Sequence, residues 1–314
     1  MISVRQHAIS IAAIFLALAI GVVLGSGTLS DSLLSGLRED KTHLQNQIND
    51  LHEENNQLTG QLSAAEEFDR AVADRVVRDT LAQRTVVIVT TPDADPGDLD
   101  QVTRLIGSAG GSVTGRVALT DSFVDAANGD QLRTTVTNVI PAGIQLRSGS
   151  VDQGSLAGDL LGSVLLLGAR NAQPQSTPEE LALALDALRA GGFVAYDNGT
   201  VAPAQLAVVL TGDGSSGQGG NRGSIVARFA GALDSRGAGT VLAGRPGAAD
   251  GNGPIAVVRS DTALASAVST VDDADRESGR ITTVLALQEQ LGGGAGRYGT
   301  GPNATAVTVG APIG

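Results

Sequence analysis

The stretch AISIAAIFLALAIGVVLG, Ala8–Gly25, contains no charged side chain, and between Arg5 and Asp31 only His7 can carry a charge. At ~1.5 Å per residue, a helix of about eighteen apolar residues crosses the ~30 Å hydrocarbon layer of a bilayer. A cleaved signal peptide competes with this reading, since it pairs a basic start with a shorter apolar region and a small-residue cut site. Ala17-Leu18-Ala19 fits such a site, but cleavage there would leave Ile20, Val22, Val23 and Leu24 at the new terminus. The sequence therefore favours a retained anchor, with the removed leader as its alternative.

Charge around the span is asymmetric. Arg5 and the α-amino group precede it, whereas Asp31, Arg38, Glu39, Asp40 and Lys41 follow it. The bias of cationic residues toward the cytoplasm then places residues 1–6 inside and the bulk of the chain outside, in the periplasm. Ala13, Ala17, Gly21 and Gly25 recur every four residues. Such a small-residue stripe lets two membrane helices approach closely, and Gly21-x-x-x-Gly25 has the spacing of a dimer contact. The abundance of glycine, 42 in 314 residues, offers a plainer source for it.

Beyond the span the apolar residues fall on a heptad. Leu37, Leu44, Leu51 and Leu58 take position d, Ala65 continues that series, and Ile48 and Leu62 take position a. Leu at d with a β-branched residue at a favours a parallel pair, and a buried Asn at a fixes register; Asn55 stands at such a position. The expected dimerisation residues are thus Gly21, Gly25, Leu44, Ile48, Leu51, Asn55, Leu58 and Leu62. A lone amphipathic helix folded on the rest of the chain is the competing arrangement. After Phe68 the spacing of Phe68, Val72 and Val76 by fours suggests that the helix changes partner.

The remainder alternates between strand and helix signals. TVVIVT (Thr85–Thr90) is a continuous β-branched run, and Ser112–Leu119 is the next strand. Helical patterns cover Asp98–Ser108, Asp130–Ile140 and Ser155–Leu167. Thr177-Pro178-Glu179-Glu180 supplies a cap, a first-turn proline and early acids for a helix running to Arg189. Phe193–Asp197 reads as a strand, and the alternation goes on through Ala207–Thr211, Ser224–Leu233, Thr240–Ala243, Ile255–Val258 and Thr262–Val271 to a helix at Arg280–Leu291. This pattern predicts a Rossmann-like α/β domain with a mostly parallel sheet. The expected organisation is an anchor over 1–30, a parallel dimeric coiled coil over 31–83, an extracytoplasmic α/β domain over 84–291 and a Gly-rich flexible tail over 292–314.

Little in this sequence suggests catalysis. Gly212-Asp213-Gly214-Ser215-Ser216-Gly217 is a literal GxGxxG, but it lies deep in the domain within a Gly- and Ser-rich stretch, so a loop is favoured over a cofactor site. Cysteine is absent, Met1 is the sole methionine, and the three histidines, His7, His43 and His52, all precede the α/β region. Copper(I) prefers Cys or Met, and neither Asp93/Asp95/Asp98/Asp100 nor Asp272/Asp273/Asp275/Glu277 has the spacing of a calcium loop. No catalytic residue, metal ligand or cofactor is assigned, and the net charge of −12 argues against nucleic acid. A non-enzymatic protein is expected.

The opening Met1–Ser10 with Phe15–Ala19 and Gly21–Gly25, together with Thr85–Ala94, Gly115–Asp125 and Gly279–Gly299, resembles the actinobacterial copper transport protein B family (MctB). The resemblance implies an envelope protein, described in part of the family as a pore-forming outer-membrane protein that limits intracellular copper. It implies, for the corynebacterial branch, a bitopic partner of a cytoplasmic protein in division and cell separation. The residues favour a bitopic dimeric scaffold contacting envelope or cell-division partners, with copper efflux or an outer-membrane pore as the alternative. Copper as a ligand follows from the resemblance alone.

Overall fold

The computed structural model describes residues 4–26, 29–147, 152–197, 201–214 and 221–312. The chain divides into two compact units, Met1–Ala65 and Glu66–Gly314. Helix α1 (Val4–Ser26) is the apolar segment, and by length and composition Val4–Gly25 is able to cross a membrane. Helix α2 (Leu29–Val76) is 48 residues long, with no proline to interrupt it. Its Leu37, Leu44, Ile48, Leu51, Leu58 and Leu62 are 42–65 % exposed. A helix this polar and this long, with one apolar stripe left in water, lacks the tertiary packing that usually stabilises amphipathic helices.

The second unit runs β1 (Thr85–Thr90), α3 (Pro96–Ser108), β2 (Ser112–Leu119), α4 (Asp121–Val124), α5 (Gly129–Thr137), α6 (Gln153–Leu165), α7 (Pro178–Ala190), β3 (Val194–Ala195), β4 (Leu206–Leu210), α8 (Arg222–Asp234) and β5 (Thr240–Ala243). It closes with α9 (Pro254–Ser260), α10 (Thr262–Ala265), β6 (Ser269–Val271), α11 (Glu277–Leu291), β7 (Arg297–Tyr298), β8 (Ala306–Thr308) and β9 (Ala311–Pro312). The sheet order is β3-β2-β1-β4-β5-β6-β7-β8-β9, and all neighbours are parallel except the antiparallel edge strands β3 and β9.

Both faces of the sheet are covered, which is why the central strands are apolar without alternation. Val87 and Val89 join Val117, Leu119, Ala207 and Val209 beneath α4 to α9. Val86 and Ile88 join Leu206, Val208 and Leu210 beneath α3 and α11. Local signals set the helix starts: Asp95 caps α3 ahead of Pro96, and Thr177 and Glu180 form a capping box on α7.

Several expectations need correction. Residues 292–314 are not simply a flexible tail, because β7, β8 and β9 extend the sheet there. Wholly buried Arg259 bonds Asp272 at 2.6 Å and the carbonyls of Tyr298 and Pro302 at 2.7 and 3.0 Å, and Asp272 accepts the N–H groups of Thr300 and Gly301 at 3.0 Å. That clamp orders a glycine-rich sequence. Residues 262–271 form α10 and then β6, and the strand at 193–197 shrinks to Val194–Ala195. At the end of α2, Ala73 and the following Val77 enter the core, whereas Phe68 and Val76 stay exposed. The helix does take up the domain, but on a different face from the one its spacing suggested.

Candidate functional site

Two features of the molecule lack an internal purpose or sit where α/β folds place ligands. The first is the stripe on the two N-terminal helices. Leu44, Ile48, Leu51, Leu58 and Leu62 alternate three and four apart along α2, so they line one face, with Asn55 among them. A Cβ built at Gly21 meets no atom within 4 Å, and Gly25 lies exposed one turn further along α1.

The same small-residue spacing occurs elsewhere with its partner in place. On α6, Gly154, Gly158 and Gly162 face α8 and the residues just after it, where a Cβ would come within 2.2 Å of the Ile225 carbonyl oxygen, 2.5 Å of the Phe229 carbonyl oxygen and 2.8 Å of Arg236 Cβ. There glycine lets two helices touch backbone to backbone. The repeat at 154, 158 and 162 was visible in the sequence and is a helix-packing signal that composition alone obscures.

The second feature is the crevice between the C-terminal ends of β1 and β4, where the strand order reverses and doubly wound sheets bind their ligands. Here the crevice has only about 30 Å³ of space, lined by Thr91, Pro92, Asp93, Thr211, Gly214, Arg222 and others. Asp93 occupies the position between the strands: it accepts the Thr91 hydroxyl at 2.5 Å and the Gly214 N–H at 3.0 Å. A Cβ at Gly212 would lie 2.0 Å from the Asp93 carbonyl oxygen, so this glycine admits the chain's own loop. Ser215–Gly217 of the GxGxxG lie outside the described residues. A carboxylate in this position repels a phosphate, which speaks for loop packing at Gly212 and Gly214.

Around the same edge runs a network of charges that the sequence did not reveal. Asp98, nearly buried, binds Arg245 at 2.8 Å and Arg280 at 2.8 Å. Arg245 also reaches Asp95 at 2.9 Å, and the Gly97 N–H together with this guanidinium holds the Asp95 carboxyl below its ordinary range. Arg104 bridges Glu277 at 2.5 Å and Asp74 at 3.0 Å, and Glu66 accepts the Glu277 N–H at 3.2 Å. The last turns of α2 are thereby tied to α3 and α11. Partners as far apart in the chain as Arg104 and Glu277 leave no local pattern to read.

Among the described residues, no three His, Asp or Glu side chains gather into a group able to hold a metal ion. His43 and His52 lie exposed along α2.

Comparison with known proteins gives a consistent result. Residues 1–309 match the family described as "Copper transport outer membrane protein, MctB". The chain is 49 % identical over 312 residues to the protein named copper transporter MctB of Mycobacterium tuberculosis, covering 98 % of this chain and 99 % of that one. It is 48 % identical over 315 residues to the Mycobacterium leprae protein of the same name, again covering 98 % and 99 %. A match of this extent, running from the apolar N-terminal helix through the parallel sheet to the last strands, makes the chain a member of the MctB family.

Proposed function

We propose that this chain is a non-enzymatic component of copper handling at the cell envelope, anchored by α1 and paired with a second copy along α2. One observation carries the pairing: a heptad with Leu at d, Ile48 and Leu62 at a, and Asn55 as a polar a residue is left in solvent along α2. The apolar length of α1 and its small-residue face support anchoring and close approach of two spans. Residues 1–6 then lie in the cytoplasm and the α/β domain in the periplasm, as the charge asymmetry indicates. The copper role is supported by the names of the relatives. With no cysteine and one methionine in the chain, direct capture of copper(I) has few soft donors to use. An indirect role follows, in which the α/β domain meets envelope or cell-division partners.

The chain's lack of cysteine provides a clean test. A single cysteine at Leu51 should give a disulfide-linked dimer in native membranes, and protease added outside should digest the α/β domain while residues 1–6 stay protected. Monomer alone after oxidation, or a domain resistant until the membrane is opened, overturns the proposal. The alternative, copper passage through an assembly of copies, is favoured by the family's description as an outer-membrane transport protein. Conductance of a planar bilayer by the purified chain would decide for it.

A further inference from the structure

Counting on in sevens from Leu58 and Leu62, the d positions are Ala65 and Val72 and the a positions are Asp69 and Val76. Helix α2 is unbroken to Val76, so these residues keep the register of the stripe to the helix end. Val76 is 46 % exposed, and Phe68, at the flanking g position, is 66 % exposed. The domain's own contacts use another side of these turns. Ala73 at e and Val77 at b are buried in the core, and Glu66 at e accepts the Glu277 N–H. At about 100° per residue, the e/b side lies roughly a quarter-turn from the a/d side, so folding of the domain leaves Val76 and Phe68 exposed and covers Asp69 and Val72 only in part.

We infer that a second copy's α2 packs against this helix through Val72 and Val76, and that the two Asp69 side chains meet in one a layer whose charge controls how tightly this end closes. The inference rests on the parallel pairing proposed above and adds its extent and its regulation. The occupant is a second copy because the positions continue a self-complementary heptad, and an anchor on each chain aligns the two helices in parallel.

Asp69 is suited to such control. Partial burial, Glu66 on its own helix and Glu277 of α11 all push its carboxyl upward. The arginines bonded to Glu277 are shared with other carboxylates, Arg104 of α3 with Asp74 and Arg280 of α11 with Asp98, and Arg70, next to Asp69 on α2, is exposed. Among the described residues no arginine bonds Asp69. A facing carboxylate raises it further, because two like charges in one layer disfavour ionisation of both. The paired state therefore holds protons more firmly than separate chains do. Acidification tightens this end of the seam, and rising pH opens it.

The test uses full-length chains in detergent micelles. Single cysteines are placed at Leu51, Val72, Val76 and, as an off-seam control, Ala71, and oxidised with diamide. Efficient dimers from Leu51→Cys, Val72→Cys and Val76→Cys, severalfold above Ala71→Cys, are expected. Dimers from Leu51→Cys with Val72→Cys and Val76→Cys no better than the control overturn this inference and leave the pairing intact. Failure of Leu51→Cys as well overturns both. For the acid layer, spin labels at Ala71→Cys followed over a pH series from about 3 to about 8 should give one narrow distance at the acid end that broadens as pH rises, with the narrow distance kept throughout in Asp69→Asn. A distance indifferent to pH, or a pH response that survives Asp69→Asn, overturns the role of Asp69.

Discussion

Arg259 and Asp272 are both wholly buried, and besides bonding each other their side chains bond only Thr270 of β6, Tyr298 of β7 and residues 300–302 just beyond it. Removing one partner of such a pair leaves a buried charge alone, at a cost of about 3–5 kcal/mol. Arg259→Ala should lower urea stability by that order, while a paired exchange of both residues for apolar ones should cost less. Two other carboxyls lack a cationic bond of this kind. Burial pushes Asp234 up to about 7, and burial with the nearby Asp272 and Asp275 pushes Asp273 up to about 6. Asp273 Oδ1 also has no hydrogen-bond partner among the described residues. A carboxyl raised in the folded state binds its proton more tightly there than in the unfolded chain. Its stabilising effect is complete only below the unfolded value of 3.8 and is lost as pH climbs through the folded value. Unfolding free energy should therefore fall between about pH 4 and pH 7, and Asp273→Asn should flatten the part of that slope below about pH 6. A stability that rises over this range would contradict the assignment.

At the level of elements, α6 and α1 carry the same small-residue spacing with opposite predicted sensitivities. Gly158→Val would drive a side chain into the Phe229 carbonyl, so a loss of about 1–3 kcal/mol or more is expected in thermal or urea unfolding. Gly21→Leu should leave that stability unchanged and should weaken association of the span in a membrane dimerisation reporter. Asn55→Leu should raise coil stability and admit higher oligomers; cross-linking that still yields dimers alone would count against a register role for Asn55. These elements differed in how far their sequences revealed them. β1, β2 and β5 match their runs residue for residue, because β-branched stretches bounded by Pro or Gly have few other outcomes. The heptad of α2 was equally plain, since periodicity is a local property. Strands β7 to β9 were missed because glycine content signals freedom, while the clamp that removes it comes from Arg259, some forty residues earlier. The ion network around Asp98 and Glu277 was invisible for the same reason.

For the molecule as a whole, the division at Ala65 and Glu66 predicts that the domain needs neither preceding helix to fold. A chain starting at Glu66 should unfold in one transition and remain a monomer at micromolar concentration, because the eleven residues of α2 that remain, Glu66–Val76, are too short to pair unaided. A fragment that aggregates or fails to fold would show that the helices support the domain. The clamp at Arg259 also bears on how the protein is made. Its carbonyl acceptors at Tyr298 and Pro302 lie some forty residues downstream of Arg259, so the guanidinium holds only Thr270 and Asp272 until that stretch has left the ribosome. A chain threaded outward through a translocon would keep this edge of its sheet unsealed until residues 298–302 have emerged. A stop codon placed before Arg297, which removes Tyr298, Thr300, Gly301 and Pro302 together, should therefore yield a product that is made normally and is then degraded faster than the longer chain.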